Sequence, residues 1–412
     1  MKRGFLARIF SRATPPSLAA AAAPVRPGPV AERWVLLAPC SEAEERVVSW
    51  AAGLREAGCE VLVALPEGST LTAAGTELVP LKIAALRPLL AATDQRLRVL
   101  VTVPDACSVA FAREAHVAGA RVVYDKIAPN RFTPGARAFH PDDERALVLV
   151  ADDRVAPDRA TVRLLASLAG SGRIVHEFAD ATAAGRAFPA LVARPSIMVV
   201  VADAGSPEET GATIEALHAM RGTAAYRIVV VMGPEEGPAL KGMLAREEAG
   251  EILLLRDPRA SLVSALAMGA RATGSEVLVF LRAGQLPTSN EWLETAAAQL
   301  YGDAALGALQ LGEAAKSIAA PVLPLPGLVL RRAVFRDTGG FTEGLGSAPG
   351  GALDFSLRLV RRGFRLAQLG QAVRSGGDLR PALADAERKK LRAHWSATPE
   401  ALRAALDAWK SG

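Results

Sequence analysis

Cysteine is scarce in this 412-residue chain: Cys40, Cys59 and Cys107 are widely spaced, odd in number and without a C-x-x-C pair. That argues against a disulfide framework and for a reducing, cytoplasmic setting. Histidine is almost as rare, and His116, His140, His176, His218 and His394 show no metal-ligand spacing. Aromatic residues make up only 5% of the chain, and no apolar run approaches the roughly 20 residues needed to cross a bilayer. Acids are missing altogether from the first thirty positions, where Lys2, Arg3, Arg8, Arg12 and Arg26 supply the whole net charge of +5. From Ala31 onward acids and bases balance. No basic stripe marks the fold itself, which argues against a nucleic-acid partner.

Half of the residues are hydrophobic, dominated by Ala, Val and Leu, as expected of Ala-rich helices around Val/Leu strands. The length allows two domains plus tails. Met1–Phe10 sets Phe5, Ile9 and Phe10 among basic residues, and Thr14–Pro29 reads as a Pro/Ala linker. Arg8 and Arg12 interrupt what a secretory leader would need as its apolar core. A basic, flexible tail over 1–30 is the expectation; weak contact with the inner membrane surface is the competing one.

From Trp34 a β/α alternation begins. Trp34–Pro39, Glu60–Pro66, Arg98–Pro104 and Arg121–Ile127 read as strands, Ala43–Ala57 and Ser108–Ala118 as helices closed by Gly58 and Gly119. Further elements are expected at Ala146–Val150 and Gly172–Phe178. This spacing implies a doubly wound parallel sheet over 31–190. Val122-Val123-Tyr124-Asp125, Glu144 and Ala151-Asp152-Asp153-Arg154-Val155, with the loop leading to Phe188, resemble the nucleotide-free half of a GT-B glycosyltransferase of the family-4 type. No Gly-x-Gly-x-x-Gly fingerprint is present, which argues against a dinucleotide.

A second domain is expected over 195–378. Its strands are Ser196–Ala202, Tyr226–Val231, Glu251–Leu255, Glu276–Leu281, Gly327–Arg331 and Phe364–Leu369, with helices at Ile214–Met220, around Trp292 and at Leu353–Arg362. The ordered words Ser206-Pro207-Glu208, Val277-Leu278-Val279-Phe280-Leu281, Leu330-Arg331-Arg332-Ala333-Val334-Phe335, Gly339-Gly340-Phe341, Asp354-Phe355-Ser356-Leu357-Arg358-Leu359 and Arg361-Arg362-Gly363-Phe364-Arg365-Leu366 resemble the GT-A domain of family-2 glycosyltransferases. The fold class is therefore α/β: two Rossmann-like domains, a GT-B-like half with a doubly wound parallel sheet and a GT-A-type mixed sheet. Helices over 379–412 follow, with Leu391 and Trp395 on one face and Leu402, Leu406 and Trp409 on another; they pack on the body or form a partner interface.

The resemblance implies sugar transfer from a nucleotide-sugar donor, which asks for acids at three places. One receives the nucleotide after the second strand, an Asp-x-Asp after the fourth strand holds a divalent cation, and a third removes the acceptor's proton. This sequence has Met232 at the first place, Arg282-Ala283-Gly284-Gln285 at the second and Gly351-Ala352-Leu353-Asp354 at the third. Asp354 alone survives, matching the companion of the base rather than the base, and Arg282 would repel a cation. No divalent metal or other cofactor is therefore expected. Asp203, Glu235, Glu236, Asp257 and Asp354 remain as acids around the cleft, with Arg256, Arg259 and Arg282 as guanidiniums able to grip a diphosphate.

The preferred reading is a glycosyltransferase-like protein with a degenerate nucleotide-sugar site, a non-catalytic partner of a second glycosyltransferase or a glycan-binding subunit in polysaccharide biosynthesis. The alternatives are an active metal-independent transferase, using Asp354 or Asp203 as base and Asp203, Arg256, Asp257 and Arg282 to bind substrate, and an interaction protein unrelated to sugars.

Overall fold

In the computed structural model the described residues run from 29 to 411, apart from 70–75, 93, 127–140, 170–174, 204–205, 221, 223–225, 234–237, 258–260, 273, 313–317, 320–321, 343, 371 and 376–382. The N-terminal basic segment, Glu235, Glu236 and Arg259 thus lie outside them.

Short β-branched and leucine-rich runs form the strands, and Ala-rich amphipathic stretches form the helices that cover them. β1 (Ala31–Leu37), β2 (Glu60–Leu65), β3 (Glu77–Pro80), β4 (Gln95–Val101), β5 (Arg121–Asp125), β6 (Asp153–Ala156) and β7 (Val175–Glu177) build a first sheet. Its order is β3-β2-β1-β4-β5-β6-β7, and every neighbouring pair is parallel. Strands buried on both faces need no polar alternation, and Trp34, Val35, Leu36 and Leu37 are all fully buried. Helices Ser41–Glu56 and Ala181–Leu191 cross at close range. A Cβ on Gly53 would stand 2.2 Å from the Thr182 carbonyl, so glycine sets the approach. Trp34, Trp50 and Phe188 pack ring to ring around that crossing.

The second sheet takes β8 (Ile197–Ala202), β9 (Tyr226–Met232), β10 (Leu253–Arg256), β11 (Val277–Arg282), β13 (Leu306–Leu311), β14 (Ile318–Ala319), β15 (Leu328–Arg331) and β16 (Arg365–Leu369), while β12 (Gln285–Pro287) and β17 (Val373–Ser375) form a small antiparallel pair. Its order is β10-β9-β8-β11-β15-β13-β16-β14. The first four strands are parallel and β15 runs against both neighbours, so the sheet is mixed. An α/β chain with one parallel and one mixed sheet is what the sequence led us to expect.

Several elements differ from expectation. The element expected at Ala146–Val150, to which no type was assigned, is the end of a longer helix, Pro141–Val150, and a strand follows it at β6. β3 and the fully buried β13 are additional. The late helix begins at Ala348 rather than Leu353, because the Ser347 hydroxyl caps it by accepting from Gly350 N–H at 3.2 Å. Gly351 and Ala352 therefore sit in its first turns. The C-terminal helices Asp385–His394 and Pro399–Ser411 pack on the body, and Leu391, Trp395, Leu402 and Trp409 belong to its core.

Candidate functional site

Parallel strands present their C-terminal ends together, and in doubly wound sheets ligands sit along that edge. Register places Arg256 beside Met232, Val231 beside Ala202, and Ala202 beside Arg282. These residues form one row along the edge of β10-β9-β8-β11, roughly 14 Å from Arg256 to Arg282 at about 4.8 Å per strand. Asp203 and Asp257 follow β8 and β10 and extend the ladder: Asp203 N–H donates to Val231 O at 3.0 Å and Asp257 N–H to Met232 O at 3.1 Å. Arg256 and Arg282 are exposed, Asp203 and Asp257 half-buried. The Asp203 carboxylate accepts from the Thr210 hydroxyl at 2.7 Å, which ties it to helix Pro207–Ala219. The structure therefore brings all four expected binding residues to one edge, with Asp203 partly committed to its helix.

The three positions without acids differ in their surroundings. Met232 is 1% exposed and belongs to the core beneath the sheet. Gly284 occupies a tight turn at φ +87°, a conformation in which glycine is unstrained. Its N–H donates to the Thr213 hydroxyl at 2.9 Å, while Gln285 Oε1 accepts from Arg282 N–H at 2.9 Å. Ala352 is 1% exposed in the main core, and a Cβ on Gly351 would lie 2.8 Å from Val263 and 3.0 Å from Leu325. At Met232 and at Gly351 with Ala352 apolar side chains fill the space in which a carboxylate would have to stand, whereas at Gly284 it is the turn that lacks one.

Asp354 does not face the edge. It is fully buried and pairs with Arg358, whose Nη2 is 2.8 Å from Oδ2. Thr342 Oγ1 donates to Oδ2 at 2.6 Å and Trp395 Nε1 to Oδ1 at 3.0 Å, with His394 Nε2 3.4 Å away. Three side-chain hydrogen bonds thus hold the carboxylate, which fastens the C-terminal helices to helix Ala348–Arg361. As a candidate base Asp354 is corrected to a buried tie, since no acceptor hydroxyl reaches it.

One acid escaped the sequence reading. Glu209, in the first turn of helix Pro207–Ala219, is exposed and places Oε2 3.4 Å from where a residue-284 side chain would begin. Ser206-Pro207-Glu208-Glu209 signals a capped helix N-terminus, and the Ser206 hydroxyl does accept from Glu209 N–H at 3.2 Å. Nothing in that word shows that the turn carries a carboxylate to β11. Among the described residues no group of three or more His, Cys, Asp or Glu side chains is placed to hold a metal ion.

No protein-family model matches the chain and no curated protein matches it in sequence. Solved structures similar to it are GT-A-fold glycosyltransferases. They include GalNAc-T7 with UDP, GalNAc and Mn2+, at 15% identity and a TM-score of 0.40, over 50% of this chain and 48% of that one. The mannosyltransferase PcManGT of Pyrobaculum calidifontis, with GDP-Man and Mn2+, follows at 15% and 0.38, over 53% and 76%. S. aureus TarS 1-349 with UDP-GlcNAc stands at 18% and 0.34, over 46% and 62%. The chain thus spans about half the length of the first. Two of the three are complexes with Mn2+, and the expectation that no divalent metal takes part is withdrawn on that finding. The absence of Asp-x-Asp after β11 does not establish metal independence. Glu209 shows that a carboxylate can reach that position from a neighbouring helix.

Proposed function

We propose that the chain is a glycosyltransferase-like protein whose nucleotide-sugar cleft keeps its framework without its transfer chemistry, and that it serves as a non-catalytic partner or glycan-binding subunit in polysaccharide biosynthesis. Residues 195–378 would be the family-2-like GT-A domain, 31–190 a GT-B-like α/β domain, 1–30 a basic tail that touches a membrane surface weakly, and 379–412 helices completing the body. Arg256, Asp257, Asp203 and Arg282 would contact the ligand, a nucleotide sugar or glycan. No helix among the described residues is long and apolar enough to cross a membrane. The partner would be a second, intact glycosyltransferase.

The observation that carries this reading is the packing of Val263 and Leu325 over Gly351 beside Ala352. General base help is typically worth about 10²–10⁴ in rate, and a cleft filled with hydrocarbon at that position cannot supply it. The decisive experiment incubates purified protein with UDP- and GDP-sugars, with and without Mn2+, following nucleotide release and thermal stability together. Stabilisation without release is the expected outcome, because a ligand that binds the native state raises its apparent stability by mass action. Nucleotide release that disappears in Arg282→Ala and Asp257→Asn would overturn the non-catalytic role.

A further inference from the structure

The two sheets meet at their N-terminal edges. On the first, contacts come from just before β1, from the start of β4 and from the start of β5. On the second they come from the starts of β8 and β11 and from the end of the reversed strand β15. Val30 N–H donates to Tyr301 O at 2.9 Å. Glu276, immediately before β11 and 3% exposed, receives Arg96 Nε at 2.6 Å, Arg98 Nη1 at 2.8 Å and Ser196 N–H at 2.8 Å. The connecting segment is fastened by the same arginines. Arg98 donates to Val192 O at 2.8 Å, Arg96 to Ala193 O at 2.6 Å, and Arg121, itself paired with Asp153, to Arg194 O at 2.9 Å.

A second set of contacts lies beside it. The Arg332 side chain lies directly over Gly119, where a Cβ would come within 2.7 Å, and donates to Ser275 O at 2.7 Å and Ala270 O at 2.5 Å. His116 Nε2 accepts from Gly274 N–H at 3.0 Å. The joint leaves a cavity of only about 30 Å³ beside Arg96, Glu276, Tyr301 and Arg331, space for a water or two and none for a sugar nucleotide.

We propose that Glu276 and the arginines around it lock the two sheets into one rigid body, back to back, so that the first sheet never closes over the cleft of the second. A hinge needs a few residues free to change φ and ψ, and here the carbonyls of residues 192–194 are all held. Parallel strands of 7 and 6 residues separate the two C-terminal edges, roughly 40 Å at 3.3 Å per residue. No single small ligand reaches both. The first sheet's C-terminal edge is therefore a separate surface rather than one wall of a shared cleft.

The test is a distance measurement by electron-electron resonance, with nitroxide-bearing unnatural amino acids at the exposed positions Arg163 and Ala245, one on each side of the joint. One narrow distance is expected in the otherwise unaltered chain, broadening in Glu276→Gln. Should Glu276→Gln not fold, Arg96→Gln, which removes one of the two arginines on Glu276, gives the same broadening. Two populations or a broad distribution in the otherwise unaltered chain would overturn the lock, and so would an unbroadened distance in the folded joint variants.

Discussion

Ala352→Asp would set a carboxylate in the late helix, and its consequence can be worked out from the packing. Ala352 is 1% exposed, in a core that includes Val263, Leu325 and Leu353. The buried cation on this helix, Arg358, is already paired with Asp354. A buried acid without a partner shifts its pKa upward by as much as 3–5 units, about 4–7 kcal/mol at 1.36 kcal/mol per unit. That rivals the whole stability of an ordinary domain, about 5–15 kcal/mol. Urea denaturation should show a large fall in midpoint, with no nucleotide released from UDP-sugars. A variant that keeps the parent midpoint and releases nucleotide would refute the claim that this space is closed.

Acid should weaken the joint between the sheets. Burial, the largest influence, pushes the Glu276 carboxyl up, but Arg98, Arg96 and Arg121 together outweigh it and hold it at about 2, against 4.5 ordinarily. Because the folded value is the depressed one, the contribution is complete above pH ~4.5 and lost on descent to pH ~2; it amounts to about 3 kcal/mol at 1.36 kcal/mol per unit. Stability measured across that window should fall more steeply in the parent than in Glu276→Gln, and parallel curves would contradict it. Asp354→Asn leaves Arg358 buried without its counter-charge and should cost about 3–5 kcal/mol, read as a lowered unfolding midpoint; an unchanged midpoint would show that Asp354 is not the tie described. Trp395→Phe removes one charge-assisted hydrogen bond and should cost about 1.5–3 kcal/mol, checked by the same denaturation.

The strands and their end signals were legible because local chemistry settles them. Gly58 and Gly119 take φ +82° and +88° after their helices, and the eight Val and Ile residues of β8 and β9 that line both faces could hardly form anything else. β3 was missed because Glu77–Pro80 is an edge strand with hardly any burial. β13 was missed because Gly307 and Gln310 break its apolar run, although the Gln310 amide donates to Pro326 O at 2.8 Å inside the core. The joint was illegible for a different reason. Arg96, Arg98 and Glu276 look like solvated strand ends until residues some 180 positions apart in the chain meet. For the cleft, Met232, Gly284 and Ala352 could be read one by one, but what surrounds them could not. Val263 and Leu325 come from elements far away in sequence, and Glu209 reaches the β11 turn only through a helix whose placement no local pattern dictates.

Absence of an acid and closure of the space for one are different things, and Gly351 separates them. Inside an exposed helix Gly→Ala is favourable by about 1 kcal/mol. At Gly351 the new methyl would meet Val263 at 2.8 Å and Leu325 at 3.0 Å, closer than such carbons pack, and overpacking a tight core costs about 1–3 kcal/mol. Gly351→Ala alone should therefore destabilise. In a Val263→Ala background the same change should lose its cost or stabilise, because the cavity left at 263 accepts the methyl. The double-mutant cycle over Gly351 and Val263 should return a coupling of about 0.5–3 kcal/mol, measured by urea denaturation of the four proteins. Additive effects would mean that Val263 does not press on the helix. The space beside Ala352 would then be open rather than filled on the Val263 side.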